Sequence, residues 1–139
     1  MIRQFKPEDA QAVIGLLQEL GYDVSQDQLA KRIELIQARD GAVFVYELNQ
    51  QILGCINVII DARLAEGIVA EIVSLVVSEA SRGHGVGQQL VEYAETWAQP
   101  QVDTIRVRCN AIRDKAHKFY KRQAFTEKKE QKVFEKVFC

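Results

Sequence analysis

The sequence predicts an α/β (α+β) fold on a mixed, mainly antiparallel sheet of about six to seven strands flanked by about four helices. Three observations carry this. β-branched runs such as Ile72-Val73-Ser74-Leu75-Val76-Val77 read as buried strands. Segments such as Leu90, Val91, Ala94, Trp97 and Ala98 repeat apolar side chains at helical spacing. Some strands follow one another as hairpins while others are separated by helices, which makes the sheet mixed.

Residues 1–6 read as a short strand, with Ile2 and Phe5 apolar. Pro7 suits the first turn of a helix, since its missing N–H has no intrahelical partner to lose there. That helix carries Ala10, Val13, Ile14, Leu17 and Leu20 on one face and stops at Gly21. Ser25 is a good N-cap for a second helix with Leu29, Ile33 and Ile36 on its stripe. Residues 42–48 and 51–60 form a hairpin around Asn49-Gln50, and Asp61 to Gly67 reads as a polar loop. A strand over 68–77, a glycine-rich turn, a helix over 86–98, a strand over 103–109 and a helix over 112–123 follow. The chain then reads as a final pair of strands near 125–130 and 132–138.

At 139 residues the chain is expected to be one domain, 1–139, large enough to bury a core. Its net charge of −1 implies no bulk attraction to nucleic acid or to an anionic membrane. There is no signal-like apolar region after Met1 and no run of about 18 apolar residues. Cys55, Cys109 and Cys139 are an odd count without metal-ligand spacing, so free thiols in a reducing cytoplasm are the simplest account. His84 and His117 have no ligand-spaced partner, and no metal is expected.

The most informative stretch is Arg82-Gly83-His84-Gly85-Val86-Gly87, between an apolar strand and an amphipathic helix. A helix start presents unpaired N–H groups at the positive end of the dipole, and glycines let the backbone approach an anion. Gln88-Gln89 replace the Lys-Ser/Thr of a phosphate-binding Walker loop, and the G-x-G-x-G spacing is not the dinucleotide fingerprint. The plain alternative is a tight strand-to-helix turn that binds nothing.

Arg82-x-x-Gly85-x-Gly87 resembles the R/Q-x-x-G-x-G/A signature of the GNAT superfamily of acetyl-CoA-dependent N-acyltransferases. The opening Ala70-Glu71-Ile72-Val73 is similar to the family's fourth strand in its histone-acetyltransferase branch. Asn110 followed by Ala116-His117-Lys118-Phe119-Tyr120 resembles a second family motif. One departure stands out: Ala124-Phe125 replaces the usual Gly-Phe at the following helix end. The resemblance implies a GNAT fold and direct transfer of an acetyl group from acetyl-CoA to an amine within a ternary complex.

Residue by residue, the resemblance implies phosphate contacts from Arg82, Gly83, His84, Gly85, Val86, Gly87 and Gln88. It implies that main chain at Leu75, Val76 and Val77, with Asn110 and Phe119, lies along the pantetheine arm, with backbone at Val76 and Val77 the candidate polariser of the thioester carbonyl. Asn110 reads equally well as a cap for the helix that follows it. Glu71 sits in sequence among Val69, Ala70, Ile72 and Val73; apolar surroundings would raise its pKa, which suits a general base. Tyr120 is the candidate general acid for the leaving thiolate, since a phenol carries its proton at neutral pH. Asp61 and Glu66, in the preceding loop, could instead line the acceptor site and are the next candidates for the base, or are plain solvated loop charges. Lys115, Lys118, Lys121 and Arg122 read as a solvated helix face rather than a nucleic-acid surface. The expected partner is a small-molecule amine, with the protein a monomer or homodimer. Acetylation of a protein lysine or N-terminus, or a non-catalytic acyl-CoA-binding module, are the competing readings.

Overall fold

Two hairpins build the sheet. In the computed structural model, which describes residues 1–109 and 111–138, β1 (Ile2–Gln4) pairs antiparallel with β2 (Gly41–Leu48). β2 turns at Asn49 and Gln50 into β3 (Gln51–Arg63), and both turn residues take positive φ, 51° and 65°. Two left-handed residues match the twist of a tight hairpin, as expected from this dipeptide's position. β3 pairs antiparallel with β4 (Gly67–Val77), and β4 pairs parallel with β5 (Ile105–Val107), giving the order β1-β2-β3-β4-β5.

One face of the sheet carries α1 (Ala10–Glu19) and α2 (Gln26–Ala38). Val13, Ile14 and Leu16 of α1 and Leu29 and Ile33 of α2 close a core over Val43, Val45, Cys55 and Val76. Ser25 caps α2 as its residue type predicts: its hydroxyl accepts the Gln28 N–H at 3.1 Å, and Gln28 Oε1 accepts the Ser25 N–H at 3.0 Å. Asp9 is buried just before α1, gripped by two Arg3 hydrogen bonds of 2.7 and 2.8 Å and by the Lys6 N–H. These bonds hold its carboxyl below the usual range, Arg3 foremost.

The opposite face carries α3 (Val86–Ala98). Gly54 on β3 sets how closely it packs. A Cβ there would meet Leu90 Cδ1 at 2.9 Å, Val86 Cγ1 at 3.0 Å and the Val76 carbonyl at 3.1 Å. Any larger residue would push the start of α3, and with it the glycine-rich turn, off the sheet.

Residues Met1–Arg108 form one unit and Cys109–Cys139 a second. The second holds α4 (Asp114–Arg122), shorter than the expected 112–123. The five strands are fewer than the six to seven expected. The difference is the pair expected at 125–130 and 132–138: described residues 125–138 form no strand. A strand needs a ladder partner, and the intervening residues supply no Gly, Asn or Pro to turn this segment back upon itself. The Asp61–Gly67 loop also shrinks, because β3 runs through Asp61 to Arg63. β5 is three residues long rather than 103–109.

Candidate active site

β4 outruns its parallel neighbour. The pairs are Ala70 with Ile105, Glu71 with Arg106 and Ile72 with Val107, and there β5 ends while β4 continues to Val77. The divergence coincides with a bulge. Ile72 faces Val58 and Ser74 faces Asn57 on β3, so Val73 is an extra residue on β4. A bulge bends its strand and increases the local twist, which turns β4 away from a straight neighbour.

Beyond the bulge, main-chain groups of β4 alternate between β3 and the open side. The Ser78 N–H bonds the Leu53 carbonyl at 2.8 Å and fixes the phase. Val76 therefore turns its main chain toward β3, where it faces Cys55 and buries its side chain. Leu75 and Val77 turn theirs to the open side. Of the three expected main-chain contributors, Leu75 and Val77 hold groups without a partner among the described residues, and Val76 does not.

The open edge leads straight into the glycine-rich turn. Gly83 and Gly85 have φ of 83° and 81°, a region that costs residues with a Cβ about 1–2 kcal/mol. No atom lies within 4 Å of a Cβ built at Gly83, and only Gln89 Nε2, at 3.8 Å, near one at Gly85. These glycines thus face open space, and packing does not demand them. The N–H groups of Gly85, Val86, Gly87 and Gln88 find no acceptor among the described residues; the first helical bond there is Gln89 N–H to the Gly85 carbonyl. Arg82 and His84 are exposed beside them, and Arg82 pairs with no carboxylate among the described residues. Four aligned donors, a helix dipole and an exposed guanidinium fit a phosphate-bearing ligand.

Glu71 does not lie among apolar side chains. Its sequence neighbours Ala70 and Ile72 point to the other face of the sheet. Its own Oε1 accepts Arg106 Nε at 2.6 Å and lies 3.2 Å from Arg108 Nε. The Arg106 guanidinium also reaches Asp61 Oδ2 at 2.5 Å and Glu66 Oε2 at 3.2 Å. Arg63 joins Asp61 at 2.8 Å, and this bond, then Arg106, holds the Asp61 carboxyl below its usual range. Glu71 Oε2 meets no donor among the described residues. Arg106 and Arg108 were missed from sequence. The alternation Arg106-Val107-Arg108 on a strand beside Glu71 was the available signal, but reading it requires the β4–β5 register.

In the second unit, Tyr120 sits near the end of α4, which closes with a Schellman turn. The Ala124 N–H bonds the Lys121 carbonyl at 3.1 Å and the Phe125 N–H bonds the Tyr120 carbonyl at 3.0 Å. The Phe125 ring packs edge-on against Tyr120 at 5.5 Å and that of Phe119 at 5.0 Å. Burial, with a smaller contribution from Cys109, pushes the Tyr120 phenol up to about 12. Ala124 holds φ of 69°, the left-handed position where the family pattern has glycine. Ala124→Gly is therefore expected to stabilise the protein by about 1 kcal/mol, read as a higher urea midpoint at unchanged slope. Lys115, Lys118, Lys121 and Arg122 are exposed. Asn110 and Cys139 lie outside the described residues.

Cys55 and Cys109 are free thiols. Burial pushes Cys55 up to about 12, which leaves no thiolate for nucleophilic work near neutral pH. Among the described residues no group of three or more His, Cys, Asp or Glu side chains is placed to hold a metal. None of the helices described is long and apolar enough to cross a membrane.

A family model described as the acetyltransferase (GNAT) family matches residues 10–125. No curated protein matches the chain. Among solved structures, a putative acetyltransferase from Agrobacterium tumefaciens superposes with a TM-score of 0.85 at 20% identity, covering 98% of this chain and 99% of that one. An aminoglycoside 6'-N-acetyltransferase from Acinetobacter haemolyticus gives 0.84 at 17% identity, covering 100% and 99%. A glucosamine-6-phosphate N-acetyltransferase from Arabidopsis thaliana gives 0.82 at 22% identity, covering 100% and 98%.

Proposed function

The chain belongs to the GNAT family of acetyltransferases, and from that premise we propose that it moves the acetyl group of acetyl-CoA directly to a primary amine of a small molecule. The observation that carries the cofactor half is one continuous run of main chain. Among the described residues, the edge of β4 at Leu75 and Val77 is unpaired and leads into four unpartnered N–H groups at the start of α3. Acetyl-CoA fits both halves of that run: an amide-bearing arm extends a sheet edge, and phosphates sit on a helix N-terminus. When bound, it supplies an activated acyl group and a thiolate leaving group.

The protein's own residues then have divided tasks. Arg82, Gly83, His84, Gly85, Val86, Gly87 and Gln88 hold phosphate, mostly through backbone. An outward N–H at Leu75 or Val77 polarises the thioester carbonyl. Glu71 Oε2 takes the amine proton, directly or through one water, and Tyr120 donates to the departing sulfur. The family resemblance also assigns Asn110 and Phe119 to the arm. The inert Cys55 fits direct transfer rather than an acyl-cysteine. A cytoplasmic location suits both the cofactor and the free thiols, and residues 1–139 are taken as one catalytic domain.

Support for a small acceptor comes from the solved relatives whose names specify an aminoglycoside or glucosamine 6-phosphate. The test is thiol release from acetyl-CoA against glucosamine 6-phosphate, kanamycin, spermidine, 2-aminoethylphosphonate and a lysine peptide. Turnover of the peptide alone overturns the small-molecule reading. Gly85→Val forces a β-branched residue to φ of 81° and puts a side chain into the cradle. It is expected to weaken acetyl-CoA binding about tenfold or more, roughly 1.4 kcal/mol. Unchanged affinity by calorimetry removes this turn from the site.

A further inference from the structure

Asn57 lies mid-strand in β3, opposite Val43 on β2 and opposite Ser74 on β4. Its Oδ1 is the one buried side-chain polar atom among the described residues with no hydrogen-bond partner. Neither end of the amide is bonded among the described residues, and only Oδ1 is buried; turning the group over puts the nitrogen in the sealed position and the oxygen in the open one, where a ligand can reach it. β3 around it reads Ile56, Val58, Ile59, and a β-branched residue would suit position 57 without the desolvation penalty. A residue that breaks the local rule with no compensating contact in the fold points to a ligand.

Position says which ligand. Directly opposed residues of an antiparallel pair share a face, so Asn57 stands with the exposed Ser74, next to the Val73 bulge. Two residues along β3 on that face is Ile59, opposite Glu71. Asn57 is therefore beside the point where β4 opens and in line with the carboxylate proposed as base. We propose that the Asn57 amide oxygen accepts a hydrogen bond from the acceptor's amine and orients its lone pair for attack; this rests on the acetyltransferase reading above.

The choice of amide over carboxylate has a chemical reason. This face already carries Asp61 and Glu71, and another carboxylate against the amine would hold it as an ammonium, which has no lone pair. A neutral oxygen orients the nitrogen without opposing loss of its proton.

Asn57→Val and Asn57→Asp test this, using whichever amine of the panel the native protein turns over fastest. Asn57→Val is expected to raise KM for that amine about tenfold. Its affinity for acetyl-CoA should be unchanged and its Tm equal or higher. Asn57→Asp, nearly the same shape, should bind the amine but move the acidic limb of the pH–rate profile upward. An unchanged amine KM in Asn57→Val, with an unchanged profile in Asn57→Asp, overturns the assignment. So does a Tm lowered by several degrees with KM unchanged, because the amide then has a partner within the fold. A native protein inert on every amine fails the function reading itself, whereas native turnover with indifferent variants fails this inference alone.

Discussion

Tyr120→Phe, which removes a single oxygen, is expected to lower kcat by about 10²–10⁴-fold and to leave acetyl-CoA affinity unchanged. A phenol raised to about 12 stays protonated at any assay pH, so the acid is always loaded. It is also a weak acid, with a thiol ordinarily near 8.5. A leaving thiol held in the surroundings proposed for it would be raised by the same burial, which narrows the gap. Even partial donation stabilises sulfur as charge develops there. The Phe119 and Phe125 rings both pack edge-on against Tyr120, so the variant should keep the fold of α4. A stability readout provides an independent check. The folded phenol titrates near 12 and the unfolded one near 10. Between those values the folded chain keeps a proton that the unfolded chain loses, so stability falls as pH rises through this window. Tyr120→Phe should flatten that alkaline fall in denaturation curves at pH 9 and 11. An unchanged kcat with the alkaline fall removed would make Tyr120 a buried structural phenol.

What was legible in sequence was local. The start of α3 follows from glycines at positive φ and an apolar stripe, both contained in about a dozen residues. Ser25 with Gln28, and the Asn49-Gln50 turn, are likewise complete within four residues. Even the Ala124 departure lands on a helix-end position whose φ is strained. The acceptor side was not legible because it depends on register. Glu71 meets Arg106 across 35 positions of sequence, and its sequence neighbours, which suggested apolar surroundings, belong to the other face. Val73 carries no mark of a bulge; only the paired ladder makes it the extra residue. The segment 125–138 alternates like a strand, but alternation does not supply a partner.

Glu71→Gln is expected to lower kcat by about 10²–10⁴-fold and to flatten the acidic limb of the pH–rate profile. The substitution is conservative in the cluster. An amide oxygen can still accept from Arg106 Nε, and Asp61 and Glu66 still compensate that guanidinium. What it removes is the charge and the oxygen proposed to accept the proton. Arg108, 42% exposed at its side chain, then loses the one carboxylate it pairs with among the described residues. This leaves two roles to separate, Glu71 as base and Glu71 as the anchor of Arg108 alone. Arg108→Gln separates them: it removes the guanidinium and leaves the carboxylate. If Glu71 is the base, Arg108→Gln keeps an acidic limb that Glu71→Gln has lost. If Glu71 merely anchors Arg108, the two variants lose activity equally and both keep the limb. Acceptor choice adds a third reading. An amine of low pKa arrives unprotonated and has little need of a base, so Glu71→Gln should cost it less than it costs a basic amine. Equal losses for both amines would assign Glu71 to positioning and send the search for the base to Asp61 and Glu66.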